Sequence, residues 1–232
     1  MDSCGAAINR ARDAEGRVFS WGLGECGELG RAVQPMRYTA ANGEKEYDLP
    51  HILQQHLTPG RMFFEGAAAG SGAEQVKSFG CGAYHSLLTV VGDRVYACGL
   101  NNYGQLGLGG TENKDFLCEV KALYAKGVVC VRGGMHHSLA LSSAGVLYAF
   151  GRGDSGQLGS SAVSISSAGD FSALPVKVLV PSEVVGVDCG GNHNLAVTRQ
   201  GEVYSWGYGD MLALGHGEER DEFLPKKVNF QK

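Results

Sequence analysis

A pattern of spaced glycines that recurs four times constrains this chain more than any other feature. An aromatic residue or cysteine precedes a glycine at Trp21-Gly22, Cys98-Gly99, Phe150-Gly151 and Trp206-Gly207. A second glycine follows eight residues later in each copy, at Gly30, Gly107, Gly159 and Gly215. Because self-similarity at a fixed period is the signature of a repeat architecture, we predict four units of one supersecondary structure.

A histidine stands fourteen residues before the first of these glycines in three copies. The histidines are His85, His137 and His193, and each follows a glycine by three residues, at Gly82, Gly134 and Gly190. Ile8 takes this place in the first copy. Three equivalent histidines suggest a metal site, but the repeat places them on different units, and lone strand histidines favour backbone hydrogen bonds in a tight core. We therefore interpret the histidines and repeat glycines as structural, and predict no catalytic, cofactor or metal site.

Short β-type runs flank a turn glycine within each unit. Examples are Ser86–Val90 before Arg94–Cys98, and Leu139–Leu141 before Val146–Phe150. Each pair predicts a hairpin, and a further apolar run precedes it. A closing landmark, usually with proline, predicts an outer strand; its copies are Leu49–Leu53, Phe116–Val120, Leu174–Val178 and Leu224–Val228. Four antiparallel strands per unit predict an all-β fold of propeller blades. The chain then forms a single domain, 1–232, with units of about 1–75, 76–127, 128–183 and 184–232.

Two stretches exceed the length of the repeat. The segment 31–75 is predicted to contain an oversized inter-strand loop, since its run 66–72 consists of glycine, alanine and serine. The segment 160–170 is also rich in serine, alanine and glycine and predicts a shorter loop. Loops on a rigid scaffold usually carry recognition, so the segment 31–75 is a predicted contact for a protein partner.

Composition argues against several classes of function. The net charge of −4 gives no attraction to nucleic acid, and no apolar run reaches the length of a membrane span. The seven cysteines include no Cys-x-x-Cys pair, which indicates reduced thiols in an intracellular compartment, cytoplasm or nucleus in preference to an organelle. The Gly-x-Gly steps at Gly22 and Gly151 lead into β structure rather than a helix, which argues against nucleotide phosphate binding.

These motifs resemble the regulator of chromosome condensation repeat family. The resemblance rests on the patterns Gly-Gly-x-x-His, a turn glycine before Val-Tyr-x-Trp-Gly, and Gly-Gln-Leu-Gly. The repeats at His85–Gly107 and His137–Gly159 follow these patterns with at most two substitutions in each pattern. It implies RCC-type β-propeller blades of a seven-bladed design. The family's founding activity, which the resemblance implies as one option, is guanine nucleotide exchange on the Ran GTPase; no exchange residue is matched here. Another branch, a plant ultraviolet-B photoreceptor, uses a tryptophan-rich face, whereas this chain has only Trp21 and Trp206.

Four repeats predict a partial propeller or a small ring. An arc would be a fragment of a longer protein, or its open flanks would be covered by a partner, and we favour these over a small closed ring because the twist between blades is built into the repeat. The function predicted is a non-enzymatic protein–protein interaction scaffold, or a structural subunit of a larger complex. The partner would cover the open blade flanks or the 31–75 loop. The alternative is a guanine nucleotide exchange factor for a Ran-like small GTPase.

Overall fold

The computed structural model describes residues 3–4, 8–33, 49–66, 75–161 and 170–230. These residues form four antiparallel sheets of four strands, and strands that follow one another along the chain are neighbours in each sheet. The first sheet is β1 (Ser3–Cys4), β2 (Ile8–Arg12), β3 (Val18–Gly22) and β4 (Gly60–Arg61). The second is β5 (Val76–Cys81), β6 (His85–Val90), β7 (Arg94–Gly99) and β8 (Lys114–Glu119).

The third and fourth sheets repeat this arrangement. The third is β9 (Val128–Gly133), β10 (His137–Ser142), β11 (Leu147–Arg152) and β12 (Phe171–Lys177). The fourth is β13 (Val184–Cys189), β14 (His193–Thr198), β15 (Val203–Gly207) and β16 (Glu222–Lys227). Single 3-10 turns lie at Lys121–Leu123 and Asp210–Leu212. The prediction of all-β propeller blades is confirmed.

The central hairpin of each blade follows from turn chemistry. Gly92, Gly145 and Gly201 have φ of 92°, 74° and 78° between the second and third strands, a region that favours glycine. The resulting register pairs each repeat histidine with a glycine near the end of the third strand, as His85 with Gly99, His137 with Gly151 and His193 with Gly207.

The hydrophobic core lies between the blades rather than within one of them. Alternate residues of a strand face opposite sides of the sheet, so a blade in the middle of the row must be apolar on both faces. Leu139 and Leu158 of the third blade pack with Ala196 and Trp206 of the fourth. Equivalent cores join the second blade to the third and the first to the second. Each blade is therefore stabilised by its neighbours, as in other repeat proteins.

The closing landmark predicted at Leu49–Leu53 is wrong, because these residues begin the helix α1 (Leu49–Leu57). The outer strand of the first blade follows Pro59, and the amide of Met62 donates to Val18 O at 2.9 Å. This bond is equivalent to those of Val120, Val178 and Val228 to Val95, Leu147 and Val203 in the other blades. A proline in the first turn of a helix satisfies the same sequence pattern as a proline at the start of an edge strand.

The predicted 31–75 loop is divided by this outer strand into two connections. The first runs from β3 to β4 and contains α1, whose His56 Nδ1 lies 3.0 Å from Gly22 O. The second leads from β4 to the second blade, where the amide of Glu65 donates to Leu117 O at 2.9 Å. Residues 34–48 and 67–74 of the predicted 31–75 loop, and 162–169 of the shorter predicted loop, lie outside the described residues. In the described ranges, no helix has the length and apolar character needed to cross a membrane.

Candidate functional site at the blade junctions

Each histidine of the second and third blades contacts the blade that follows it. His85 Nε2 lies 2.8 Å from Ser138 Oγ, which donates to Gln105 O at 2.7 Å. His137 Nε2 lies 2.7 Å from Asn194 Oδ1. The Nε2 atoms of these two histidines thus bond to side chains of the next blade, rather than to backbone as the sequence predicted. A histidine on one strand and a serine or asparagine on the next blade together form the polar part of a blade junction.

The glycine that precedes each histidine gives the imidazole its place. A Cβ added to Gly134 would lie 2.2 Å from His137 Cε1. That distance is too short for two carbon atoms that are not bonded, so no residue other than glycine fits at this position. The same clash would arise between Gly82 and His85, and between Gly190 and His193. This geometry supports the structural interpretation of the glycine–histidine pairs.

The remaining repeat glycines occupy two kinds of position. Those near the end of the third strand all have positive φ, at Gly22, Gly99, Gly151 and Gly207. Those of the Gly-x-Leu-Gly step lie against the core side chain of the next blade: Gly30 against Cys98, Gly107 against Phe150 and Gly159 against Trp206. The fourth copy departs from this step, as Leu-Ala-Leu-Gly, and its Gly215 has only Val228 of its own blade within reach of an added Cβ, at 3.5 Å. The pattern of contacts that joins successive blades therefore stops at Gly215.

Arg10 takes the role of the missing histidine at the first junction, and sequence reasoning missed it. Its side chain is 1% exposed, and Nη2 donates to Glu28 O at 2.9 Å and also to Ser86 Oγ of the second blade. Nη1 donates to Cys81 Sγ. The signal in the sequence was a paired change, because Arg10 replaces the leucine of the other blades and Glu28 replaces their glutamine at Gln105 and Gln157.

The Glu28 side chain is buried beside this arginine and repeats the contact of the glutamines. Its Oε2 accepts from the amide of Cys26 at 2.7 Å, as Gln105 Oε1 accepts from Tyr103 at 2.9 Å. Burial raises the pKa of Glu28, and the Arg10 charge acts in the opposite direction. The first junction is thus charged where the others are neutral.

The buried histidines predict a loss of stability in acid. Burial lowers the pKa of His85 to about 3 and that of His137 to about 4, from 6.5. Below pH 6.5 the unfolded chain therefore binds protons that the folded chain does not, so stability is complete above pH 6.5 and decreases as the pH falls towards 4. We expect a slope of up to about 1.4 kcal/mol per pH unit for each histidine, measured by urea unfolding between pH 7 and 4.5. The variant with His85→Gln and His137→Gln should have a shallower slope, and an unchanged slope would contradict this assignment.

The fourth blade presents an uncovered apolar face, which we call the open flank: His193, Leu195, Val197, Val203 and Val228. Leu195 and Val197 are 41% and 38% exposed. The leucines equivalent to Leu195 in the second and third blades, Leu87 and Leu139, are 0% exposed. His193, Val203 and Val228 are half-buried, whereas their equivalents in those blades are buried. Residues that form a junction core in the middle of the row therefore face solvent at its end.

A second surface lies where the turns between first and second strands emerge, which we call the loop face. His136 stacks on Tyr84 with ring centroids 6.2 Å apart and lies 5.3 Å from the Tyr103 ring. Arg152 lies over Tyr103 at 5.3 Å and pairs with Asp154 at 2.7 Å. The connections between third and fourth strands leave the blades on this side, so the two long insertions that join β3 to β4 and β11 to β12 begin and end on the loop face.

Six cysteines of the described ranges are free thiols: Cys26, Cys81, Cys98, Cys118, Cys130 and Cys189. Burial raises the pKa of Cys98 and of Cys118 to about 12, and it raises that of Cys189 as well. Cys118 lines a cleft of about 450 Å³ on the second blade with Glu65 and Lys114, but its thiol stays protonated near neutral pH. Within the part of the chain that the structure describes, no three His, Cys, Asp or Glu side chains are grouped so that they could hold a metal ion.

Comparisons with known proteins agree with this architecture. The family model described as RCC1-like domain matches residues 2–232. The ultraviolet-B receptor UVR8 of Arabidopsis thaliana is 31% identical over 98% of this chain and 45% of its own length. The human regulator of chromosome condensation is 29% identical over 93% of this chain and 48% of its own length. The solved structure of Prp20p from Saccharomyces cerevisiae superposes with a TM-score of 0.79 at 25% identity, over 99% of this chain and 50% of that one. That structure is described together with the binding properties of Prp20p to Gsp1p and histones. The chain spans about half the length of these relatives.

Proposed function

This chain belongs to the RCC1-like domain family, and from that premise we propose that it is a non-enzymatic protein-interaction module, a scaffold or a subunit of a larger complex. Its partner covers the open flank of the fourth blade. The two relatives described above are a receptor and a regulator. The free thiols of the described residues support a reducing compartment, the cytoplasm or the nucleus.

The observation that carries this proposal is the exposure of Leu195 and Val197. Burying a fully exposed side chain of this size contributes about 1.5–3 kcal/mol, so covering what is still exposed of both would contribute about 1–2 kcal/mol in all. The same positions in the second and third blades are covered. Proteins that act alone rarely leave a contiguous apolar patch of this kind exposed. The open flank therefore provides a favourable free energy of association to any partner with a complementary face.

The loop face supplies a second contact with different chemistry. Tyr84 and Met135 are exposed there, beside the stacked ring of His136. Tyrosine, methionine and arginine are enriched in protein interfaces, since they combine apolar area with polar groups. We assign affinity to the open flank, and selectivity to the loop face with its two long insertions.

The exposure of the open flank can be tested with a hydrophobic dye such as ANS, on chain diluted enough to dissociate any self-association. We expect fluorescence enhancement, and a reduction of several-fold when Leu195 and Val197 are both replaced by threonine. The matched control is Val129→Thr, which changes an exposed strand valine outside the open flank and should leave dye binding unchanged. A dilute chain that binds no dye would contradict the proposal, because its flank would need no partner.

Nucleotide exchange on a Ran-like small GTPase is a second candidate, favoured by the likeness to Prp20p and the Gsp1p binding described for that protein. The purified chain would be added to such a GTPase loaded with a fluorescent guanine nucleotide. An interaction module without exchange activity leaves the rate of nucleotide release unchanged. An acceleration that depends on the concentration of the chain would replace the first proposal by the second.

A further inference from the structure

We propose that the partner at the open flank is a second copy of this chain, which places its first blade there head to tail; this inference rests on the function proposed above. The two ends of the row of blades carry the two halves of one junction. The open flank has the features of the side that receives a following blade. The outer face of the first blade, which we call the leading flank and define by Phe19 and Trp21, has the features of the side that is received.

The junction between the third and fourth blades shows what the two halves contribute. Trp206 of the fourth blade fits against Gly159 of the third, and its Nε1 donates to Gln157 O at 3.1 Å. Tyr204 and Trp206 pack with Leu139 in the core of that junction. The receiving side thus supplies a glycine and a leucine, and the following blade supplies two aromatic side chains from its third strand.

The same residue types stand at the two ends of the chain. Trp21 and Phe19 are equivalent in the repeat to Trp206 and Tyr204, and both are half-buried rather than buried. Gly215 and Leu195 are equivalent to Gly159 and Leu139. Among the four blades, only the first and the fourth have tryptophan at this repeat position. In the pair, the fourth blade packs on the third, and the first blade would pack on the fourth blade of the other copy.

The polar half of the junction is also repeated at the ends. His193 stands at the position of His137, and Asn9 stands at the position of Asn194, which His137 contacts. A first blade docked on the open flank would therefore bring a histidine and an asparagine to the same relative positions as at the third junction. This match of apolar and polar groups is what favours a second copy over an unrelated apolar partner.

Two head-to-tail contacts close a pair of four-bladed arcs into one ring. Head-to-tail interfaces give rings when the rotation closes. A pair of these chains would make an eight-bladed ring, which lies within the four to eight blades that propellers use. Compared with a seven-bladed ring, the rotation between blades changes by about 6° at each junction. The pair closes into a ring only if the junctions take up this change.

The test is the mass of the full chain in solution, measured by light scattering and sedimentation over a range of concentrations. We expect twice the chain mass of 24.5 kDa at high concentration. Trp21→Ala on the leading flank and Leu195→Lys on the open flank should each give monomers, since every junction of the pair uses both flanks. Val129→Lys is the matched control and should pair like the unchanged chain. Thermal melting of each variant confirms that it is folded.

Mixing the two variants gives the decisive measurement. The Trp21→Ala chain keeps an intact open flank and the Leu195→Lys chain keeps an intact leading flank, so an equimolar mixture should form pairs held by one junction, weaker than the unchanged pair. A mixture that stays monomeric while the unchanged chain pairs would overturn the inference, as would masses that grow beyond a pair. An unchanged chain that is monomeric but binds the dye would overturn the second copy and leave the proposed function standing. A monomer that binds no dye would remove both.

Discussion

Replacement of Arg10 by leucine is expected to lower the free energy of unfolding by about 2–3 kcal/mol. The change removes the donor to Ser86 Oγ and Cys81 Sγ of the second blade, and it leaves the Glu28 carboxyl group buried without its nearby cation. The measurement is urea unfolding at low protein concentration. The free energy of unfolding should depend on urea concentration with the same slope in the variant and the unchanged chain, which shows that the substitution changes stability alone. The control is Arg17→Leu in the same blade, since Arg17 pairs with Asp13 at the surface and should change stability by less than about 1 kcal/mol.

The paired substitution of Arg10 and Glu28 provides a sharper test of this junction. The variant with both Arg10→Leu and Glu28→Gln carries the combination found in the second blade, Leu87 with Gln105. Because the two residues share one buried site, the double variant should be more stable than the sum of the two single losses by about 1–2 kcal/mol. Strict additivity would show that the two side chains act independently.

The architecture was predictable from the sequence because its cause is local and repeated. A turn glycine between two β-type runs specifies a hairpin wherever it occurs, and four copies of the pattern placed the hairpins of all four blades. The glycine of each Gly-x-x-His step was also visible in the sequence, and the structure places it where an added Cβ would meet the imidazole three residues later. Such contacts lie within a few residues along the chain.

The parts that sequence reasoning missed depend on contacts between blades. Arg10 lies next to Ser86 only after two blades have packed, and its position in the repeat is occupied by leucine elsewhere. The helix α1 was missed for a different reason, because Leu-Pro followed by apolar residues suits both an edge strand and the first turn of a helix. The outer strand lies instead at Gly60–Arg61, where the hydrogen bond from the amide of Met62 to Val18 O sets the register.

The open flank was expected from the number of repeats, yet which residues would form it required the structure. Alternation along β14 shows only that Leu195 and Val197 share a face. The bonds of Asn194 to His137 and to Gln157 O show that the other face is directed at the third blade. Leu195 and Val197 are consequently on the side where no described blade follows. The face that a terminal repeat leaves uncovered is therefore defined in this chain by Leu195 and Val197.

The same substitution at two equivalent leucines should therefore give very different results. Leu139→Ala is expected to cost about 3–5 kcal/mol, because Leu139 is fully buried between the third and fourth blades and its removal leaves a cavity beside Trp206. Leu195→Ala should cost less than about 1 kcal/mol in the dilute chain, since its side chain is already 41% exposed.

Unfolding at two protein concentrations distinguishes the effect of each substitution on the stability of one chain from its effect on association between chains. Both are unfolded in urea first at a concentration where the chain is dissociated, and again where it is associated. Leu139→Ala should show the same loss at both, because its junction lies within one chain. Leu195→Ala should show a larger loss at the higher concentration, because there the side chain is covered and its removal weakens the contact that links association to folding. Equal losses for the two variants in the dilute chain would mean that Leu195 is already covered by its own chain, and that the fourth blade is not the end of an open arc.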